Sequence, residues 1–357
     1  MKRLFIALIV TMVTAVNWTP LLAQGEATVL FLMINPGARQ GGMGEAGVAL
    51  ADDANAIYWN PAGLAFQYED PEVDKRGEAT LMHVNWLPQF NLSDLYYDFA
   101  AGRYHLDGIG TVAAGIQFIN YGDNVQTDDT GQELGRFNSN ELAFTGSYAT
   151  KLTPGLGLGV NLKFVYSRLS PVAVSSEQGK GVGATFAVDL GMLWKPSFSD
   201  RLSMGFNLSN VGPKITYIDK EQEDPVPTNL RLGMAYDITK SEFNTLTFVY
   251  DINRLLVPKD EDKRDESFLA YLYNNWGEGD QFNRLSHSLG IEYWYSNLIA
   301  LRSGYFYEDP NNGDRKFWTF GGGVRVSILA IDFSYILGSQ DDNPLSDTMR
   351  FSLGAQF

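Results

Sequence analysis

The chain has 357 residues, with 13% aromatic and 19% charged residues, 36 Gly, no Cys and a formal net charge of −15. The lack of Cys excludes a disulfide scaffold, a thiolate metal site, a cysteine nucleophile and a lipid anchor on an N-terminal cysteine. The acidic balance excludes a broad nucleic-acid surface, which needs clustered Lys and Arg, and a hydrophobic fraction of 45% excludes global disorder.

Lys2-Arg3, the apolar run Leu4 to Val16 and the small-residue exit Leu21-Leu22-Ala23 read as a secretory signal peptide over residues 1–23, cleaved before Gln24. That run is short for a membrane span, and no later stretch approaches ~20 apolar residues, so no transmembrane helix is expected. Residues 24–77 form an N-terminal segment without alternation. They hold Pro36, Gly37, a Gly-rich run at 41–47 and a short helical pattern around 45–57, and Glu69 to Arg76 reads as a solvated linker.

From residue 78 to 357 the chain alternates. Leu156, Leu158, Val160, Leu162, Phe164 and Tyr166 share one face, with Gly157, Gly159, Asn161 and Lys163 on the other. Period two is the mark of a β-strand. About fourteen such segments are predicted, near 78–88, 94–102, 109–119, 140–150, 156–168, 182–195, 201–211, 228–239, 243–253, 284–295, 298–307, 316–327, 329–338 and 346–357. About ten residues is the length of a tilted strand crossing a bilayer. Trp86, Tyr97, Tyr166, Trp194, Tyr236, Trp294, Tyr305 and Trp318 stand near strand ends, where outer-membrane barrels carry aromatic girdles.

Long polar connections alternate with short ones, the asymmetry of such barrels. The expected fold is all-β, an antiparallel transmembrane outer-membrane barrel of about fourteen strands. Its N-terminal segment caps the periplasmic mouth or enters the lumen, and its long loops are extracellular. A soluble sandwich would place charge on its second face, because that face meets water. The final strand, with Phe351, Leu353 and the terminal Phe357 on one face, looks like the signal read by the outer-membrane assembly machinery.

The local motifs weigh less. Gly42-Met43-Gly44-Glu45-Ala46-Gly47 matches G-x-G-x-x-G, but neither a strand before it nor a βαβ unit around it is in place, so it reads as tight backbone packing. His83, His105 and His287 lie on separate segments without a metal-ligand pattern, and His287 falls on the apolar face of its strand. Asp309 to Asp314 departs from the calcium-loop pattern at Gly313 and reads as a turn. No catalytic constellation, cofactor site or metal site is expected. Loop 254–283 sets mixed charge, Lys259 to Glu266, before Phe268, Tyr271 and Trp276, which suits either a docking surface or a short helix packed on the rim. Candidate partner contacts are Trp86, Pro88 and Phe90, Pro171 and Val172, and Phe268, Tyr271 and Trp276.

Residues 35–65 carry a resemblance. Ala38-Arg39, Gly42-Met43-Gly44, Ala49, Asp53-Ala54 and Trp59-Asn60-Pro61-Ala62 together resemble the PorV/PorQ family of outer-membrane proteins, which is related to FadL-type barrels. The linker Glu69 to Arg76 is more similar to the PorV branch. The resemblance implies a fourteen-stranded barrel of the type 9 secretion system that is not an enzyme. It implies a shuttle that takes cargo from the translocon barrel by the cargo's C-terminal signal domain and passes it to the attachment complex that joins it to lipopolysaccharide. The implied partners are thus the translocon, cargo domains, attachment-complex proteins and membrane lipid. FadL-like transport of hydrophobic small molecules is the alternative, for which inward Gly304, Gly321 and Gly323 could leave space or could allow close packing.

Overall fold

A computed structural model describes residues 27–68, 75–92, 94–128, 130–171, 180–217, 223–257, 282–339 and 343–357. The alternating segments become β1 (Gly77–Asn85), β2 (Tyr96–Leu106), β3 (Gly110–Thr127), β4 (Glu133–Thr153), β5 (Leu156–Ser170), β6 (Gly181–Trp194) and β7 (Leu202–Val211). They continue as β8 (Asn229–Lys240), β9 (Asn244–Leu255), β10 (Leu285–Tyr295), β11 (Ile299–Tyr307), β12 (Lys316–Val326), β13 (Leu329–Gly338) and β14 (Met349–Gln356). Each strand pairs antiparallel with its neighbours in sequence, and β1 pairs with β14, so the sheet closes into a barrel. Closure satisfies the backbone without leaving a sheet edge around the ring, which is what a strand-built membrane span requires. Among the described residues no helix is long and apolar enough to cross a membrane.

The pleat sorts the side chains. Leu158, Leu162, Phe186, Leu190, Ile291, Leu301, Ile331 and Phe351 point outward and are exposed, while Asn161, Lys163, Asp189, Asp251, Glu292, Arg302 and Arg350 point inward and are buried. This is the inverse of a soluble protein and the expected polarity of a barrel in lipid. Both chain ends of the barrel, and the short turns such as 296–298 and 327–328, lie at one end; the long connections lie at the other.

Three expectations need correction. Residues 120–139 read as a loop because their polar composition hides the alternation, but β3 and β4 continue through them as a hairpin with a bulge between Asn120 and Asp123. The helical pattern at 45–57 shrinks to α2 (Ala56–Trp59), preceded by the single turn α1 (Ala38–Gly41), because glycine and backbone-to-wall contacts hold the stretch between them in turns and bends, with Gly44 and Glu45 at positive φ. Tyr97 and Trp294 are not girdle residues but are buried inside, where the Tyr97 hydroxyl donates to the Ile34 carbonyl. Each sits beside aromatic neighbours, Tyr96 or Tyr293 and Tyr295, that take the outward positions. Trp194, Tyr236 and Trp318 do face outward.

Residues 27–68 fill the lumen. They enter at the long-loop end, where the Thr28 amide donates to Pro225 O (3.1 Å). At the other end the Lys75 ammonium reaches Gln356 (3.3 Å), just before β1 begins. Phe31, Leu32, Ile57 and Trp59 from this plug join Val84, Tyr97, Phe99 and Ile119 of the wall in one apolar cluster.

Candidate functional site

The contact between plug and wall is where the chain concentrates its buried polar groups. Arg39, on α1, forms a two-pronged ion pair with Glu292 of β10, its Nε 2.8 Å and its Nη2 2.7 Å from the carboxylate oxygens. Its Nη1 donates to Asp52 and, at 3.2 Å, to Asp53, both on the plug. Glu292 is shared with Arg302 (2.6 Å), which also binds Asp332 (2.6 Å). The result is a chain of charges from the plug across β10, β11 and β13. Burial alone would lower the Arg39 pKa; Asp52, Glu292 and Asp53 more than reverse this and raise it well above the ordinary arginine value. Burial pushes the Asp53 carboxyl up against the opposing pull of Arg39.

Three further locks repeat the pattern. Arg350 of β14 binds Glu45 of the plug at 2.5 Å. The Asp251 carboxylate of β9 accepts the amides of Gly47 (2.6 Å) and Val48 (2.9 Å). Thr319 and Ser352 accept the amides of Gly44 and Ala38. The plug backbone, which lacks secondary structure over most of its length, thereby finds wall side chains for its donors.

The glycine motif is the apolar half of the same contact. Gly44 has φ +65, and a Cβ there would stand 2.5 Å from Leu289 O and 2.7 Å from Tyr305 N, so a side chain is excluded by both conformation and space. Opposite it, a Cβ on Gly304 would collide with Gly44 N and Met43 C. Gly42 meets Gly321 in the same way, with its Cβ position 3.0 Å from Gly321 Cα. The inward glycines therefore hold plug backbone rather than empty space. Met43 is fully buried among Ala46, Ala49, Ala235 and Val249.

Asn60 ties the far side. Its Nδ2 donates to Val48 O and to Met192 O of β6, both at 3.0 Å, and its Oδ1 caps Ala62 N (3.1 Å) at the start of the 3₁₀ turn Pro61–Phe66. Pro61 and Ala62 are buried, with Pro61 seated over Gly159 and Gly191. Asn60→Ala is expected to cost about 1–2 kcal/mol, the range of a lost cap. Asn60→Asp should cost at least as much, since a carboxylate cannot donate to the two carbonyls. Thermal unfolding in detergent checks this, and a wild-type midpoint for either variant would refute it.

The structure thus gathers Arg39, Gly42, Met43, Gly44, Asn60, Pro61 and Ala62 at one plug–wall contact. The candidate partner residues are scattered. Phe90 is exposed at the long-loop end; Pro88 is half-buried in a short turn; Trp86 is half-buried against two apolar clusters; Pro171 is half-buried at the end of β5. Val172, Phe268, Tyr271 and Trp276 lie outside the described residues. Phe351, Leu353 and Phe357 are exposed on the outer face, and Phe357 exchanges backbone hydrogen bonds with Gly77 (2.7 and 2.9 Å). Missed by sequence reasoning were Glu45, Asp251, Glu292, Arg302, Asp332 and Arg350. For Asp251, Glu292, Asp332 and Arg350 the signal was a lone charge between apolar neighbours, as in Ile291-Glu292-Tyr293.

A closed fourteen-stranded barrel with an apolar outside and a plugged polar lumen defines an integral protein of the outer membrane. The chain belongs to the family described as type IX secretion system protein PorV, whose model matches residues 24–262. None of the curated proteins matches it. Among solved structures it is similar to the Pseudomonas putida toluene transporter TodX, with a TM-score of 0.54 and 15% identity over 90% of this chain and 96% of that one. It is also similar to the Ralstonia pickettii toluene transporter TbuX, with a TM-score of 0.50 and 12% identity over 90% and 98%. The CymD monoaromatic hydrocarbon channel gives 0.50 and 13% over 95% and 98%. At these identities the likeness is one of fold.

Proposed function

We propose that the protein is a cargo shuttle of the type 9 secretion system. It receives secreted proteins from the translocon barrel through their C-terminal signal domain and delivers them to the cell-surface attachment complex. The observation that carries this reading is the filled lumen. A bore occupied by a plug with ion pairs to β10 and β14 and hydrogen bonds to β9 and β12 offers little passage, which leaves the rim as the working surface. The long-loop end is taken as extracellular, because the barrel begins and ends at the short-turn end. Phe90, exposed at that rim, is a contact for cargo, and the aromatic run Phe268 to Trp276 supplies the others.

The test is a mild-detergent pull-down from native outer membranes, read by mass spectrometry. Secreted proteins sharing a C-terminal β-domain, or a very large translocon barrel, are expected. A barrel carrying only lipid or hydrophobic small molecules would turn the reading to FadL-like transport. Replacing Phe90, Phe268, Tyr271 and Trp276 together by Ser is expected to lower cargo recovery at least about tenfold, since interface aromatics are hot spots. Unchanged recovery would remove these residues from the interface.

A further inference from the structure

Two chambers of about 570 and 440 Å³ open between plug and wall at the short-turn end. Arg39, Asn297 and Arg325 line both, and so stand where the chambers meet. The carboxylates nearest this junction are already engaged. Glu292 is held by Arg39 and Arg302, Asp332 by Arg302, Glu78 by Arg103, and Asp53 by Arg39 and Gln40.

Arg325 is the cation left over. It is half-buried near the end of β12, with its guanidinium carbon 4.3 Å from the centroid of the Trp294 ring. Among the described residues its side chain has no ion pair, and its described contact is the Trp294 ring. Stacking on an indole fixes the guanidinium plane and leaves the N–H edge for a ligand. Such an edge takes an oxyanion through paired charged hydrogen bonds. A carboxylate has only two oxygens, and one guanidinium satisfies them. A phosphate has oxygens to spare for Asn297 and Arg39. Of the partners of Arg39, Asp52 is the displaceable one: its side chain is 58% exposed, against 2% for Glu292.

The geometry points to a phosphate-binding site at the meeting of Arg325, Asn297 and Arg39, which takes a phosphate group, free or on a lipid headgroup, in competition with Asp52. The test uses the full-length barrel. In one arm the detergent-purified protein is titrated calorimetrically with inorganic phosphate in a phosphate-free buffer. In the other, native mass spectrometry counts phosphatidylglycerol retained from nanodiscs. Saturable binding is expected in at least one arm, and the arm that responds identifies the source. Arg325→Gln is expected to weaken it about tenfold, the loss of one charged hydrogen-bond pair, and Asp52→Asn is expected to tighten it. Arg325 makes no plug–wall ion pair, so Arg325→Gln should keep heat-modifiable migration on gels, which verifies the barrel. The site is refuted if neither arm saturates, if Arg325→Gln binds like wild type, or if Asp52→Asn binds no tighter.

Discussion

Glu292→Ala is expected to destabilise the folded barrel by about 3–5 kcal/mol and to release the plug, because removing one member of a buried pair strands the charge that remains. Here two charges are stranded. Arg39 and Arg302 both lean on the one carboxylate, at 2.7 and 2.6 Å, and without it two buried guanidinium groups face each other. Arg302 keeps Asp332 on its other side, and Arg39 keeps Asp52 and Asp53, but both of those lie on the plug. The variant therefore cuts one link between plug and wall, the one made by Arg39, rather than the charges within either. The measurement is thermal unfolding in detergent together with planar-bilayer conductance. A lower midpoint with new conductance is expected; a wild-type midpoint and a silent membrane would sink the assignment. The exposed pair Arg136–Glu133 is the control, since its loss should cost under about 1 kcal/mol.

The second large effect is expected from Gly304→Val. The wall at Gly304 touches plug backbone, not a side chain that could rotate away, so any Cβ drives into Gly44 N and Met43 C. Overpacking of this kind costs about 1–3 kcal/mol where neighbours can shift, and here the Gly44 amide that would have to move is the one bonded to Thr319. Limited proteolysis in detergent reads the outcome. Gly304→Val should expose residues 27–68 to cleavage, whereas Gly146→Val, at an outward position with nothing within 4 Å of its Cβ, should leave them protected. Equal protection in both would mean that the plug does not depend on the glycine contact.

The wall of this fold was legible because the strands are long and their outward faces are apolar: the predicted segment 329–338 is β13 to the residue. Legibility failed where polarity no longer reports which side is wet. The β3–β4 hairpin beyond Asn120 is mostly half-buried or exposed on both faces, so its alternation carries no hydrophobic signal. The three consecutive aromatics Tyr293-Trp294-Tyr295 gave no parity for the same reason. The plug was legible as a motif but not as a structure. Arg39, Gly44 and Asn60 stand out in the sequence, yet what gives each its role is a partner far along the chain: Glu292, Gly304 or Met192. A single sequence shows that Glu292 is a charge within a strand, but not that Arg39 is its counter-ion.

That remoteness orders the assembly of the molecule. The plug precedes β1, but Arg39 is 253 residues from Glu292, Glu45 is 305 from Arg350, and the Ala38 amide is 314 from the Ser352 hydroxyl. Contacts so distant in sequence form only after the chain between them is in place. Two of the three partners, Arg350 and Ser352, sit on β14, which is also the strand that closes the ring through Phe357 and Gly77. The segment that precedes β1 is thus the last to be fastened. A seated plug is a record that the final strand has arrived, and a barrel arrested one strand short would keep its beginning loose.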